Sequence, residues 1–421
     1  MVCKYSKKFI EDFVYRQKEF LHLYLRVRIS FLSQILLHNK IAICNKLEGS
    51  IRTFFYLNKN LLIFLKVTGV ILSLYLFLVG INGLSAAIKH LGGDFAEKML
   101  STTSNPFISL FIGILSTTIF QSSSTTTSLI VGMVSSGALN LGGAVPMIMG
   151  ANIGTTVTNI IVSIGHINRG NEFKRAFAAA TVHDFFNVFA VIILFPIEIT
   201  FGLLEKTASG LGTLLFGSIS ISNEFDSPIK AGIKWGVHHI ENLSFENNIV
   251  FIILSVLLTF VMLYSIVKLL RSLVLDKVHQ FFDRYIFKTA LRGILFGMIL
   301  TIMVQSSSIT TSTIVPLAGA GVLTLRQVYP FTLGANIGTT ITAIFAALTL
   351  NVTALVAAFA HLFFNIYGIL IIYVNPLFRD IPIKLAKWIA EVAIKNKFIP
   401  LIYLICFFFL LPFLFILIGR Q

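Results

Sequence analysis

The sequence predicts an all-α, polytopic membrane protein with two inverted-topology repeats, each holding a re-entrant broken-helix hairpin plus full spans. Of its 421 residues, 56% are hydrophobic and 12% are charged, which is about half the charged fraction of a typical soluble domain. Seven apolar segments approach the roughly 20 residues that a helix needs to cross a bilayer. They lie at 61–81, 144–164, 176–199, 249–270, 328–349, 353–373 and 398–418. Their number exceeds what a soluble core would bury, and their continuity favours helices over alternating strands.

Three polar motifs occur twice, in the same order, within or beside these apolar segments. The pairs are QSSSTTT at 121–127 with QSSSITT at 305–311, GANIGTT at 150–156 and again at 334–340, and HDFFN at 183–187 with HLFFN at 361–365. The first two pairs are offset by 184 residues (305 − 121 and 334 − 150) and the third by 178 (361 − 183). Three ordered matches indicate an internal duplication, and duplicated units with polar breaks are typical of secondary transporters.

The first element is a basic arm over residues 1–60, with eleven Lys and Arg against four Asp and Glu. Because basic connections stay cytoplasmic, we expect the N-terminus inside. Three further basic segments share that side, at 169–175, 271–292 and 379–397. The connection 201–248 is balanced to acidic and is predicted as an extracellular loop. The net charge of +15 therefore reflects membrane topology and gives no reason to expect nucleic acid.

Within the arm, the stretch Phe20–Leu37 is amphipathic and suits contact with lipid headgroups. A solvated cytoplasmic extension is an equally open alternative for this segment. The arm begins with no cleavable signal peptide, since the first long apolar run starts at Leu61.

The two repeats are predicted over 61–200 and 249–375, followed by a basic inside segment and a final span over 376–421. In the first repeat, apolar residues 106–120 meet the polar break, and a second limb runs to about Ser136. A break at membrane depth is tolerated only where it lines a protein or water cavity, so the two short limbs indicate a re-entrant hairpin. Each repeat then crosses three times, and this odd number inverts the second repeat relative to the first.

The paired QSSS motifs carry the chemistry expected at the repeat interface. Buried hydroxyl and carboxamide groups are costly unless they are satisfied, so a run of them indicates a site. Their donors, with free N–H groups at half-helix N-termini, suit an anion, and their acceptors suit Na⁺. Neither stretch contains Lys or Arg, so anion binding would depend on bound cations. The anion candidates are Gln121, Ser122, Ser123, Ser124, Gln305, Ser306, Ser307 and Ser308. Hydrogen bonding between helices is the alternative role for such residues.

The GANIGTT motif combines small and oxygen-bearing residues. Its glycines permit close helix packing or local unwinding, and its polar residues could offer oxygens to a cation. The cation candidates from this motif are Asn152, Thr155, Thr156, Asn336, Thr339 and Thr340, and Thr125, Asn187, Gln305 and Ser306 join them. Packing alone stays an alternative for these residues.

Asp184 is a carboxylate inside an apolar span, which makes it a functional candidate by default. Its counterpart in the second repeat is Leu362, so the two halves would differ in cation binding. The alternative is a structural carboxylate bonded to His183 or near the inner surface. His183 and His361 are expected to pack or form hydrogen bonds, since no spacing supports a transition-metal site.

These motifs, with MGANIGTTVTN at 149–159, GNEFKRAF at 170–177, VHDFFN at 182–187 and LGANIGTTITAIFAAL at 333–348, resemble the type II sodium-dependent phosphate cotransporters, solute carrier family 34. The resemblance covers about 65–420 and indicates a compact, bacterial-type member without the long cysteine-linked outside insertion. It implies divalent phosphate as substrate and Na⁺ as coupling ion, with no cofactor. Arg169 departs from the family pattern, in which an acid stands near a Na⁺ site.

The resemblance also implies roles for individual residues. The two QSSS stretches form the substrate and Na⁺ site, and Thr339 and Thr342 match threonines assigned to a Na⁺ site near Gln305. Asp184 matches an aspartate that distinguishes electrogenic from electroneutral members, which implies electrogenic transport through an extra Na⁺ site.

Together, the motifs and the resemblance predict sodium-coupled symport of inorganic phosphate by alternating access, with no enzymatic activity. The expected location is a plasma membrane, as a multi-pass protein of the bacterial inner membrane in contact with its lipids; the sequence leaves a homo-oligomer open. The alternatives are a Na⁺-coupled carrier of another oxyanion, such as sulfate, and a membrane phosphate sensor or regulatory subunit.

Overall fold

The computed structural model describes residues 59–216, 228–245, 247–278 and 286–419. These residues form helices and turns, with no strand among them, which confirms the all-α class. By its internal contacts the chain divides into Met1–Leu65 and Lys66–Gln421, and the candidate site described below lies in the second of these units. The predicted basic arm lies outside the described residues as far as residue 58.

The first half of the chain contains seven helices in the described residues. They are α1 (Lys59–His90), α2 (Gly93–Thr103), α3 (Pro106–Phe120), α4 (Ser123–Ser136), α5 (Leu141–Gly154), α6 (Val157–Ile164) and α7 (Asn171–Phe201). Helices α3 and α4 have the bounds predicted for the two limbs of the first hairpin. Helix α3 begins where the Asn105 side chain accepts a hydrogen bond from the Phe107 N–H at 2.9 Å, next to Pro106, an arrangement that favours helix initiation.

The second half contains a series of helices in the same order as α3, α4 and α5, after three helices that precede it. Its helices are α8 (Leu203–Phe216), α9 (Pro228–Leu243), α10 (Asn248–Val278), a short turn over Ile286–Lys288, α11 (Ala290–Val304), α12 (Ser307–Gly319), α13 (Leu325–Leu348) and α14 (Val352–Gly368), which continues as a wider turn over Ile369–Val374. The starts of α11, α12 and α13 lie 184 residues after those of α3, α4 and α5 (290 − 106, 307 − 123 and 325 − 141). The duplication in sequence therefore has a matching order of helices.

The chain ends with helices α15 (Pro376–Arg379), α16 (Ile381–Lys395) and α17 (Ile399–Ile405), a wider turn over Cys406–Leu410, and α18 (Leu411–Ile418). Helix α16 packs against α7 through an apolar stripe. The buried residues of that stripe are Pro382, Ile383, Ala386, Ile389, Ala390 and Ala393. The spacing of three and four residues puts them on one helix face.

Within the described ranges, seven segments are long and apolar enough to cross a membrane, which confirms the seven predicted. They are Leu61–His90, Leu141–Ile164, Asn171–Phe201, Asn248–Leu273, Leu325–Leu348, Val352–Val374 and Ile399–Ile418. The segments Glu97–Thr103 and Pro106–Phe120 meet at an angle of 96° and would make an eighth if counted as one span. The chain is therefore a multi-span membrane protein, and the re-entrant path of its hairpins stays a prediction.

The second limb of each hairpin packs against helices of the other half. Helix α4 contacts α13 and α14, and its equivalent α12 contacts α6 and α7. The first limbs stay with their own half, since α3 contacts α5 and α11 contacts α13. This exchange brings the two QSSS motifs together in the interior of the protein.

Glycines permit the close contacts of α3 with α5 and of α11 with α13. These glycines include Gly113, Gly150 and Gly154 in the first pair and Gly297, Gly334 and Gly338 in the second. A Cβ atom on Gly150 would overlap the carbonyl oxygen of Leu110, and one on Gly334 would overlap that of Ile294. Close helix packing, one of the two roles considered for the glycines of the GANIGTT motifs, is therefore the role that the structure shows.

The connection over 201–248, predicted as an extracellular loop, contains α8 and α9, and α8 packs against α14. Leu204 and Ala208, four residues apart, are fully buried on the inner face of α8, as expected for an amphipathic helix. The side of the membrane on which this connection lies stays a prediction.

The two GANIGTT motifs lie in equivalent helices. The first ends at the junction of α5 and α6, where Thr155 and Thr156 keep right-handed helical backbone angles, and the second lies inside α13. The Thr156 hydroxyl contacts the carboxylate of Asp184, and the position equivalent to Asp184 in the second half holds Leu362, which offers no acceptor. The two halves therefore differ in chemistry at this position.

Candidate substrate and cation site

The two hairpin tips have the same backbone. Gln121 and Gln305 adopt the left-handed conformation, with φ of 52° and 56°, which costs a residue with a Cβ about 1–2 kcal/mol. Ser122 and Ser306 then start the second limbs in an extended conformation, and their hydroxyls accept hydrogen bonds from Thr125 N at 3.2 Å and Ile309 N at 3.3 Å. The equal geometry shows that both motifs fold as a helix end, a left-handed glutamine and a serine N-cap.

Each tip presents unsatisfied backbone donors. Ser123 and Ser124 open α4, and Ser307 and Ser308 open α12, so their N–H groups have no acceptor within the helix. All four side chains are buried. The tips also touch each other, because Ser124 Oγ lies 3.5 Å from the carbonyl oxygen of Gln305. The predicted anion candidates of the two halves are thus brought together at two helix N-termini.

The two glutamines differ in their side-chain contacts. Gln305 Oε1 accepts a hydrogen bond from Thr342 Oγ1 at 2.7 Å, and Gln305 Nε2 donates to the Ile302 carbonyl at 2.7 Å. The Gln121 side chain is exposed. The pairing of Thr342 with Gln305 fits the prediction of a cation site there, whereas Thr339 donates to the carbonyl of Ala335 in its own helix at 3.0 Å.

Buried polar atoms surround the tips without a hydrogen-bond partner among the described residues. They include Oγ1 of Thr117 and Thr118 at the end of α3, Oγ1 of Thr301 at the end of α11, Oγ1 of Thr310 in α12, and Nδ2 of Asn152. Leaving such groups unpaired costs roughly 1–3 kcal/mol each. Donors and acceptors at this density suit ligands that are themselves polar or charged.

Histidines and asparagines connect the two halves in the centre of the protein. His183 Nε2 lies 2.6 Å from Asn336 Oδ1, and Asn336 Nδ2 donates to Asn187 Oδ1 at 2.7 Å. Asn187 Nδ2 in turn donates to the Asn152 carbonyl at 3.0 Å. His361 Nε2 completes the series at 3.4 Å from Asn152 Oδ1. The two histidines therefore form hydrogen bonds, as expected, and each contacts the asparagine of the other half.

Asp184 is fully buried on α7 and has two hydroxyl partners. Its Oδ1 accepts from Thr156 Oγ1 at 3.1 Å, and its Oδ2 accepts from the hydroxyl of Tyr403. Neither partner is His183, the structural partner considered from the sequence. No ion pair reaches this carboxylate within the part of the chain that the structure describes. Such a carboxylate is suited to a small cation that supplies the missing positive charge.

The predicted cation candidates divide among three places. Gln305 and Thr342 lie at the second tip, Asp184 and Thr156 lie beside α7, and the three asparagines occupy the central series. The remaining hydroxyls turn to nearby groups: Thr125 to Ser122 Oγ at 2.8 Å, Thr155 to the Ala151 carbonyl at 3.0 Å and Thr340 to the Ile337 carbonyl at 2.7 Å. No cluster of three or more His, Cys, Asp and Glu side chains suited to a metal ion occurs in the described ranges.

Sequence reasoning did not single out Asn159 or Tyr403. Asn159 Oδ1 accepts from Thr311 Oγ1 at 2.9 Å, so the last residue of the second QSSSITT motif reaches α6. Tyr403 lies in the final span, which has no equivalent in either repeat, and its contact with Asp184 crosses 219 positions. A hydroxyl inside an otherwise apolar span was the signal available in the sequence.

Comparisons with known proteins agree with these features. The sequence model of the Na+/Pi-cotransporter family matches residues 76–222 and 256–373. Sodium-dependent phosphate transport protein 2B of Homo sapiens is 34% identical over 435 residues, covering 80% of this chain and 63% of that protein. The 2A proteins of Ovis aries and Oryctolagus cuniculus are 33% and 34% identical over 427 and 439 residues, with 83% and 85% of this chain covered and 67% and 68% of theirs.

The chain thus spans a little under two thirds of the human relative. No solved structure matches the chain significantly.

Proposed function

The chain belongs to the Na+/Pi-cotransporter family, and from this premise we propose that it carries out sodium-coupled symport of inorganic phosphate across a plasma membrane by alternating access. The observation that carries the proposal is the meeting of the two QSSS tips, with Ser124 Oγ 3.5 Å from the Gln305 carbonyl. Two helix N-termini converge there, and N-termini with free N–H groups favour a polyanion such as phosphate.

The phosphate is held by neutral donors in this proposal. The N–H and hydroxyl groups of Ser123, Ser124, Ser307 and Ser308 bind its oxygens, and Gln121, Ser122, Gln305 and Ser306 border the same place. Neither QSSS stretch contains Lys or Arg, so the charge of the anion is balanced by Na⁺ bound nearby. Binding of the anion and the cation then reinforce each other, and this linkage is what makes transport coupled.

Two groups of residues are proposed as cation positions. At the second tip, Gln305 Oε1, Ser306 and the hydroxyls of Thr339 and Thr342 supply oxygens. Beside α7, the carboxylate of Asp184 supplies a full negative charge with Thr156 at 3.1 Å. The second position has no equivalent in the other half, because Leu362 replaces the aspartate. An additional Na⁺ there would carry one net positive charge inward with each cycle.

Asn152, Asn187 and Asn336 are assigned to the interface between the halves and, through their carbonyl oxygens, to cation contact. Thr125, Thr155 and Thr340 donate their hydroxyl hydrogens to their present acceptors and keep the oxygen lone pairs for a cation. The inverted arrangement, with the first hairpin opening outside and the N-terminus in the cytoplasm, follows from the basic connections. The same rule and the compact form support a bacterial inner-membrane location.

The test is uptake of labelled phosphate into proteoliposomes that contain the purified full-length chain. An inward Na⁺ gradient should stimulate uptake at least several-fold over an equal K⁺ gradient. Equal uptake under the two gradients would refute the proposal. Competition by unlabelled phosphate, arsenate and sulfate in the same assay identifies the anion, since a carrier of sulfate would be inhibited by sulfate more strongly than by phosphate.

A further inference from the structure

Tyr403 is the only described residue outside the two repeats that donates a hydrogen bond to Asp184. The segment Ile399–Ile418 that carries it lies beyond residue 373, where the family match ends. Most of that segment forms the outer surface of the protein, with Leu401, Ile402 and Ile405 between 47% and 50% exposed. A lipid-facing helix thus delivers one polar group to a fully buried carboxylate.

The Tyr403 ring is fixed by aromatic neighbours. It stacks on Phe407 with ring centres 5.5 Å apart and planes at 10°, and it meets Phe408 edge-on at 5.9 Å. Phe185, next to Asp184 in sequence, lies 6.4 Å away. The wider helical turn over Cys406–Leu410 follows directly, and such turns are common at functional positions. The ring contacts therefore hold the hydroxyl at the carboxylate without further polar partners.

The second donor to Asp184, the Thr156 hydroxyl, has two possible acceptors. Thr156 Oγ1 lies 3.1 Å from Asp184 Oδ1 and 2.9 Å from the Ile153 carbonyl, and a threonine hydroxyl has one hydrogen to share between them. The Tyr403 hydroxyl has Asp184 as its acceptor and is therefore the main donor to this carboxylate. A hydrogen bond to a charged group is worth more than one between neutral groups.

We propose that Tyr403 is a positioning residue for the cation position at Asp184: its hydroxyl donates to one of the two carboxylate oxygens available to Na⁺, competes with the ion for that oxygen, and so sets the Na⁺ concentration at which this position fills. Na⁺ and the Tyr403 hydroxyl compete for the lone pairs of Asp184 Oδ2, so binding of the ion there breaks the hydrogen bond from Tyr403. The final helix is thereby linked to the cation occupancy of α7. This inference rests on the proposed sodium-coupled transport.

The test is the Na⁺ dependence of phosphate uptake by Tyr403→Phe in proteoliposomes. The substitution removes one oxygen and keeps the ring contacts. The half-saturating Na⁺ concentration should fall by about ten-fold, the scale of one charge-assisted hydrogen bond. In an Asp184→Gly background, Tyr403→Phe should produce no further shift, because the two residues act through one contact.

Two controls separate this role from packing. Tyr264→Phe removes an exposed hydroxyl of α10 and should leave the Na⁺ dependence unchanged. Phe407→Leu removes the stacked ring and keeps the Tyr403 hydroxyl. If the role of Tyr403 were purely structural, Phe407→Leu and Tyr403→Phe would both lower the maximal rate of phosphate uptake and leave its Na⁺ dependence unshifted.

A second measurement needs no reconstitution. Na⁺ should raise the thermal unfolding midpoint of the purified chain in detergent, with choline as the reference cation, and Tyr403→Phe should reach half of this effect at a lower Na⁺ concentration. An unshifted Na⁺ dependence in both measurements, with wild-type uptake still driven by Na⁺, overturns the inference and leaves the proposed function intact. Wild-type uptake without Na⁺ stimulation overturns both.

Discussion

His183 and Asn336 join the two halves of the protein through a contact of 2.6 Å between Nε2 and Oδ1. In the equivalent pair the histidine, His361, comes from the second half and the asparagine, Asn152, from the first. The distance between their Nε2 and Oδ1 atoms is longer, at 3.4 Å. The halves are thus tied together twice by the same residue types with different strength. This inequality allows the two contacts to be compared within one protein.

We expect Asn336→Ala to destabilise the protein more than Asn152→Ala. The first substitution leaves His183 Nε2 and Asn187 Oδ1 buried without partners, at roughly 1–3 kcal/mol each. The second removes the longer contact to His361 and keeps the backbone carbonyl that Asn187 uses. Thermal unfolding in detergent measures the difference, and an equal or reversed order of the two midpoints would show that the series is not organised as described.

Alanine at either glycine crossing should prevent correct folding. In Gly150→Ala and Gly334→Ala the new methyl group meets a backbone carbonyl of Leu110 or Ile294, and overpacking of this kind costs about 1–3 kcal/mol or more. Gly142→Ala is the matched control in α5, since the nearest atom there is Asn140 Oδ1 at 3.7 Å. Fluorescence-detected size-exclusion chromatography should show loss of the folded peak in the first two variants only.

Thr342→Val should lower the apparent affinity of the protein for Na⁺ in the uptake of phosphate. The substitution removes the donor that orients Gln305 Oε1 at 2.7 Å, so the half-saturating Na⁺ concentration should rise roughly five-fold, the equivalent of about 1 kcal/mol. Thr332→Val is the control, because Thr332 donates to the Tyr329 carbonyl of its own helix. A similar shift in both variants would mean that Thr342 acts through the stability of α13 and not through Gln305.

Asp184→Gly should retain phosphate uptake and lose the accompanying inward current. The carboxylate stands where the second half has Leu362, so in the proposed cycle its removal takes away one Na⁺. Uptake and current are recorded on the same proteoliposomes or cells at a fixed membrane potential. A current that persists in proportion to uptake contradicts the role given to Asp184.

Phosphate should bind very weakly to the purified protein in the absence of Na⁺. The serines at the tips offer neutral donors, and neither QSSS stretch contains a cationic side chain, so desolvation of a divalent anion is not compensated without bound Na⁺. Titration calorimetry in sodium chloride against choline chloride compares the two conditions. Tight binding in the choline buffer would require a cationic contact outside the tips.

The class of the fold and the hairpin limbs were predictable because each depends on local sequence. The limb 106–120 and the second limb ending near Ser136 were found from apolar length and a polar interruption, and α3 and α4 have those bounds. The seven spans follow from the same arithmetic of about 1.5 Å per residue across a bilayer. Local patterns of this kind require no knowledge of which helices meet.

The contacts that cross between the halves could not be predicted in this way. Nothing in the spacing of His183 and Asn187 shows that Asn336 contacts both of them, because this contact depends on how the helices of the two halves pack together. The contact of Tyr403 with Asp184 depends on where a peripheral helix docks.

The glycine crossings have a consequence for movement. Each first limb is locked to the span of its own half by contacts that leave no room for a methyl group, whereas each second limb packs on helices of both halves. If the halves rock against each other, each second limb has to shift against one of its two sets of neighbours. We expect part of this rotation to be absorbed at Gln121 and Gln305, where the left-handed backbone already interrupts both helices. The tips proposed to bind phosphate would then also be hinges of the transport cycle.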